Sequence, residues 1–372
     1  MSKLCYLKEN ALNSICPYFT MFPLEYPIRH LKKFKMGNPV VVDPFCGRGT
    51  TLFAARKLGL NAWGIDTSPV ATAIAKAKMA SCSKADILEL ARELLQKTPN
   101  DVPENEFFKR LYSSSTLESV CALREGLLSI NQETNASIVL RALTLGALHG
   151  PLNKSIENSI YFSNQMPRTF ASKPDYSIKY WSQKGLFPPK INPIDVLKRK
   201  LDRIPTFNHS LNGSYHQVIE GDAQLESTTN QISDDFSLVI TSPPYYGMKT
   251  YVQDQWLRNW FLGGPPIVDY TSGPQLEHKG TEGFAKSLGK VWSNMANSKA
   301  NNLKMFVRFG IIPSAKVDAK SLMHMSLESS SANWRIISTR SAHTAEKGKR
   351  QATQMQSKSN AAIEYDFHIE RI

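Results

Sequence analysis

The chain lacks any Cys-x-x-Cys pair. Its five cysteines (Cys5, Cys16, Cys46, Cys82 and Cys121) are scattered and odd in number. That argues against a zinc ribbon or a disulfide framework, so no metal is expected, and it fits a reducing compartment. Long apolar runs are also missing. The longest, around Ile138–Leu148, is interrupted by Arg141 and is too short to span a bilayer. No basic segment followed by an apolar stretch stands at the N-terminus, so the expectation is a cytoplasmic protein with no membrane contact. Acidic residues are comparatively few, 32 against 45 Lys and Arg. The resulting net charge of +13 on 372 residues favours a polyanionic partner. A basic but otherwise ordinary enzyme would carry the same charge. The content of 41% hydrophobic and 21% charged residues describes a globular protein and excludes a disordered one.

What is present alternates between short β-branched runs and amphipathic helices, the pattern of a mostly parallel α/β sheet. Strands are expected over Pro39–Asp43, Asn61–Ile65, His216–Ile219, Ser237–Thr241, Leu303–Phe309, Trp334–Ser338 and Ile363–Ile369. Helices are expected from Thr50 to Gly59, from Pro69 onward, over Glu282–Met295 and over Ala319–Leu327. Between about Cys82 and Ser214 the rhythm disappears. Helical patterns run over Lys84–Lys97, Leu117–Ile130 and Asn135–His149, while Tyr161–Pro193 has no clear period. The expected organisation is a sheet domain built from residues 1–81 and 215–372, with a mainly helical insertion at 82–214. A polar patch around Thr344–Asn360 reads as a loop.

Three constellations carry chemistry. In Asp43-Pro44-Phe45-Cys46-Gly47-Arg48-Gly49-Thr50-Thr51 a strand ends in an acid, a glycine turn follows and a helix begins. The glycines allow a sharp bend and a close approach to a ligand. The dinucleotide fingerprint would need Gly or Ala where Leu52 stands, which argues against a nicotinamide or flavin enzyme. Asp66 lies at the end of the next strand, roughly 20 residues on, where an acid meets ribose hydroxyls in open α/β sheets; alone it could equally cap a helix. Ser242-Pro243-Pro244-Tyr245 follows a buried strand and presents a hydroxyl, a fixed carbonyl and an aromatic face together, a set suited to a flat base. A Pro-rich loop with a buried Tyr is the plainer reading.

These segments resemble motifs I (43–51) and IV (242–245) of the amino-methylating DNA methyltransferases. Asp66-Thr67-Ser68-Pro69 resembles their motif II and Gly221-Asp222-Ala223 their motif III. Phe19–Arg29, with Phe22 and Pro23, resembles motif X. The order is closest to the α arrangement, although the insertion precedes motif III. The resemblance implies a doubly wound, seven-stranded, mostly parallel class I methyltransferase sheet. It implies S-adenosylmethionine as cofactor, held by Phe22, Pro23, Asp43, Pro44, Phe45, Cys46, Gly47, Gly49, Thr50, Thr51, Asp66, Asp222 and Ala223. It implies catalysis by Ser242, Pro243, Pro244 and Tyr245 on a base flipped out of double-stranded DNA. The SPPY form is associated with cytosine N4 and DPPY with adenine N6. No Pro-Cys nucleophile of the cytosine-C5 type follows motif I. Adenine N6, an RNA guanine-N2 methyltransferase and a catalytically silent nucleic-acid-binding paralogue remain as alternatives. A companion restriction endonuclease is a partner the family allows. Candidate DNA contacts are Lys179, Trp181 and Lys190 in the insertion, with Lys249 and Arg258 in the aromatic stretch after motif IV. That stretch could equally be a helix packing its Trp residues into a core.

Overall fold

The computed structural model describes residues 11–18, 23–152, 157–166, 171–204, 214–247, 251–270, 276–277, 280–311, 315, 317–342 and 363–372. The chain divides into two compact units, residues 20–75 with 211–249 and 272–372, and residues 1–19 with 76–210 and 250–271.

The first unit is the sheet. Its strands are β1 (Val41–Asp43), β2 (Ala62–Asp66), β3 (His216–Glu220), β4 (Leu238–Thr241), β5 (Lys304–Ile311), β6 (Trp334–Ser341) and β7 (Ile363–Arg371). Their spatial order is β3-β2-β1-β4-β5-β7-β6. The first five pair in parallel, and β7 lies antiparallel between β5 and β6. This is the class I methyltransferase fold: a doubly wound sheet whose order reverses between β1 and β4. Ligands bind outside the carboxyl ends of strands at such a reversal. Every residue of β1 and β4 is buried, as expected for apolar central parallel strands covered on both faces. The helix Thr281–Met295 lays Phe284, Leu288, Val291, Trp292 and Met295 into the main core at helical spacing.

The second unit is helical. Its helices start where local chemistry dictates. Ser83 and Thr134 form capping boxes, and Asn105 and Ser113 accept from the first-turn amides. Two helices lie in or next to the stretch that shows no sequence period, Pro174–Lys184 and Pro193–Asp202. Each opens with Pro in its first turn, and the former ends on Gly185 in the left-handed conformation. Those signals outweigh an irregular apolar pattern. Among the described residues no helix is long and apolar enough to cross a membrane, and no group of His, Cys, Asp and Glu could hold a metal ion.

Candidate active site

The site grows from the adjacency of β1 and β4, which pair at Val41–Leu238 and Val42–Val239. Asp43 ends β1 and Thr241 ends β4. The Thr241 hydroxyl donates to Asp43 Oδ1 at 2.6 Å, and the Phe45 amide donates to the same oxygen at 3.2 Å. Asp43 Oδ2 is buried without a partner, an orphan acceptor at the strand terminus. Burial pushes the Asp43 carboxyl up to about 6, while hydrogen bonds from Thr241 and Phe45 pull the other way. Thr51 fastens its helix to β4 by donating to the Ile240 carbonyl at 3.1 Å.

Glycine shapes the turn after Asp43. Gly47 and Gly49 both have positive φ, 49° and 73°. A side chain at Gly47 would meet nothing within 4 Å, so open space lies over the turn; one at Gly49 would come within 2.9 Å of Ala75. Gly49 therefore permits the close seating of the Thr50–Leu58 helix, and Gly47 leaves room for a ligand.

Asp66 joins three motifs. Its Oδ2 accepts from the Gly47 amide at 2.8 Å, its Oδ1 from the Ser68 amide at 2.9 Å, and its carbonyl from the Gly221 amide at 3.0 Å. Burial raises its carboxyl, and the two amides oppose this. Each carboxylate oxygen keeps a second acceptor direction for a ribose hydroxyl. Next to Gly221, Asp222 accepts from the Gln224 amide at 2.9 Å and from the Gln224 side chain. The Ala223 carbonyl accepts from Asn294 at 2.8 Å. Asn294 carries no signal in the sequence, because its role depends on a helix docking 71 positions away.

Ser242, Pro244 and Tyr245 are half-buried beyond β4, and Pro243 is buried. The Tyr245 hydroxyl donates to the carboxylate of Glu364 on β7. Tyr246 bridges to Ile311 and packs edge-on against Phe284. The residues of the four segments that resemble motifs I to IV thus lie at the carboxyl ends of β1 to β4. Of motif X, the Pro23 carbonyl accepts from the Tyr26 amide, whereas Phe22 lies outside the described residues, as does Lys249.

The candidate DNA contacts separate. Lys179 and Lys190 are exposed. Trp181 is not available: it is fully buried, donates to the Gln165 carbonyl at 2.8 Å and packs on Phe107. Arg258 is likewise buried. Its guanidinium donates to the carbonyls of Pro17 at 2.7 Å and Leu145 at 3.2 Å, and to Gln255. Both are corrected from DNA contacts to packing residues of the helical unit. An apolar ring and a desolvated guanidinium cannot leave such partners at reasonable cost. Trp256 and Trp260 are buried in the same unit, so the aromatic stretch after motif IV packs a core there.

The orphan Asp43 oxygen, the open space at Gly47 and the acceptors of Asp66 fit the ammonium, chain and ribose of S-adenosylmethionine. Residues 4–77 match the DNA methylase family model N6_N4_Mtase. The chain is 31% identical over 108 residues to the type II methyltransferase M.MjaII of Methanocaldococcus jannaschii. That match takes in 28% of this chain and only 20% of the relative's length. The rRNA methyltransferase AviRa of Streptomyces viridochromogenes overlaps 95% of this chain and 87% of its own, at 11% identity and a TM-score of 0.31, a likeness too loose to bear on function. The two sequence matches support the amino-methyltransferase family.

Proposed function

We propose that this chain transfers a methyl group from S-adenosylmethionine to an exocyclic amine of a base in double-stranded DNA, with cytosine N4 as the target; the family match over residues 4–77 and the similarity to M.MjaII support the reading. The observation that carries the reading is the bond from Thr241 to Asp43. It locks the acid that would meet the cofactor's ammonium beside the strand that leads directly into Ser242-Pro243-Pro244-Tyr245. The cofactor, when bound, supplies a methyl group already activated on a sulfonium.

The chain's own residues supply position and polarity. An exocyclic amine is a poor nucleophile because its lone pair is delocalised into the ring. The Ser242 hydroxyl and the Pro243 carbonyl accept hydrogen bonds from the amine, which concentrates the lone pair on nitrogen, and the proton that the methylated nitrogen loses passes to solvent. The two prolines hold that carbonyl rigid, and the Tyr245 ring stacks on the flipped base. Placement and electrostatics then account for the acceleration, with no covalent intermediate. Serine in the first position of motif IV favours N4 of cytosine over N6 of adenine. The inserted 82–214 region is assigned target recognition, and its exposed Lys179 and Lys190 are suited to backbone phosphates. A companion restriction endonuclease is suggested by the type II designation of M.MjaII.

The test is single-turnover methyl transfer beside thermal melting, with DNA sequencing that separates N4-methylcytosine from N6-methyladenine. Ser242→Ala and Tyr245→Ala should bind cofactor normally, stay folded and transfer slowly; loss of the stacking face alone is worth about 1–3 kcal/mol. Full activity in a folded double variant would sink the assignment.

A further inference from the structure

The motif IV tyrosine is tied to a strand that enters the fold 119 positions later. Tyr246 bridges to Ile311, so the chain leaving β4 continues alongside β5. On the other side of β5, Gly310 is paired with Glu364 and Ile311 with Ile363 of β7. Tyr245, Gly310 and Glu364 therefore follow one another across neighbouring strands. The middle position carries no side chain, and over it the phenol hydroxyl reaches the Glu364 carboxylate. The backbone of Glu364 is held from both sides, paired to Gly310 on β5 and accepting at its carbonyl from the Ala342 amide at 2.9 Å. The ring itself meets Phe309 edge-on. A carboxylate on a strand fixed at both edges is a rigid anchor, whereas Tyr245 sits on an irregular loop whose proline-rich start bonds to no ladder.

We propose that Glu364 is a positioning residue for methyl transfer: by accepting the Tyr245 hydroxyl it fixes the plane of the ring on which the flipped base stacks. The proposal deepens the reading of motif IV and rests on it. A tyrosine that only needed an aromatic face would work equally well as phenylalanine. Here the hydroxyl carries the tether, so the ring without it keeps its stacking area and loses its orientation.

The test has two arms. The first is independent of activity. With 3-fluorotyrosine incorporated in the full chain, the Tyr245 resonance is identified by its loss in Tyr245→Phe and followed by fluorine NMR. Glu364→Ala should shift and broaden it, while Glu364→Gln, whose amide oxygen still accepts, should change it far less. The second arm is single-turnover methyl transfer to duplex DNA. Glu364→Ala should slow the chemical step by about tenfold, the loss of one hydrogen bond to a charged group, with cofactor affinity unchanged. Glu364→Gln should recover most of the rate. In a Tyr245→Phe background Glu364→Ala should cost nothing further. An unmoved resonance overturns the tether. A moved resonance with an unchanged rate, or equal slowing in both backgrounds, overturns its role in positioning. If the wild type methylates no DNA, motif IV is misread and the role in methyl transfer falls with it, while the first arm still decides whether the tether exists.

Discussion

Asp43 shows how far one side chain can couple stability to binding. Its carboxyl is ordinarily near 3.8 and is held at about 6 in the fold by burial. A raised acid favours the protonated folded state. Its contribution to stability is therefore complete below about 4, lost as pH climbs through about 6, and absent above that. Two pH steps correspond to about 3 kcal/mol. Asp43→Asn should accordingly gain stability relative to wild type as pH rises from 4 to 7, read as a widening gap between urea midpoints in cofactor-free protein. The same variant should bind S-adenosylmethionine poorly at neutral pH, because the orphan oxygen no longer offers a charge to the ammonium. Wild-type affinity should fall as pH drops below about 6. For Asp66→Ala the expected loss of cofactor affinity by calorimetry is roughly 1.5–3 kcal/mol. Unchanged affinity would confine Asp66 to holding Gly47 and Ser68 together. These carboxylates were legible as an acid ending a strand, then a glycine turn, then a second acid. Which of their oxygens is left without a partner was not, because that depends on Thr241 arriving from the neighbouring strand.

At the scale of elements, β1 to β4 were readable to within two residues, since each is a short run closed by Gly, Pro or Asp. By contrast, β5, β6 and β7 run two or three residues past the expected ends, because pairing along the β5-β7-β6 edge, and not an apolar run, sets their length. The helices Pro174–Lys184 and Pro193–Asp202 escaped an apolar periodicity reading, although proline in the first turn and glycine after the end mark the first of them. Arg258 illustrates a different limit. An arginine among aromatics reads equally as a phosphate ligand or a buried staple, and its environment decides. Here it joins the helix Trp256–Phe261 to the carbonyl of Leu145, which ends the helix Asn135–Leu145, and to Pro17. Arg258→Ala should destabilise the protein by about 3 kcal/mol or more, since it strands buried acceptors and leaves a void. Arg258→Lys should rescue little, lacking the planar fork. Chemical denaturation measures both, and a DNA-affinity defect in a fully stable variant would restore Arg258 as a DNA-binding residue.

Over the whole molecule, a surplus of 13 positive charges suits a duplex partner. If the helical unit meets phosphates through Lys179 and Lys190, changing both to Ala should weaken DNA binding. It should also lower the slope of log affinity against log salt by about 0.9 for each phosphate that is no longer neutralised. Cofactor affinity and melting temperature should stay as they were. An unmoved slope in fluorescence anisotropy titrations would reduce these lysines to a solvated surface.

By itself the sequence determined the candidate site segments and the elements that carry them. A glycine turn after an acid, a Ser-Pro-Pro-Tyr after an apolar run and alternating strands and helices are all local patterns, written in consecutive residues. Only the tertiary structure decided which of them meet. It placed β4 beside β1, so that Thr241 bonds an acid 198 positions earlier. It put Glu364 across Gly310 from Tyr245, and it buried Trp181 and Arg258. The physical reason is the same in each case. A hydrogen bond, or the removal of a side chain from water, is a property of two surfaces brought together, and no periodicity along the chain records which surfaces those will be.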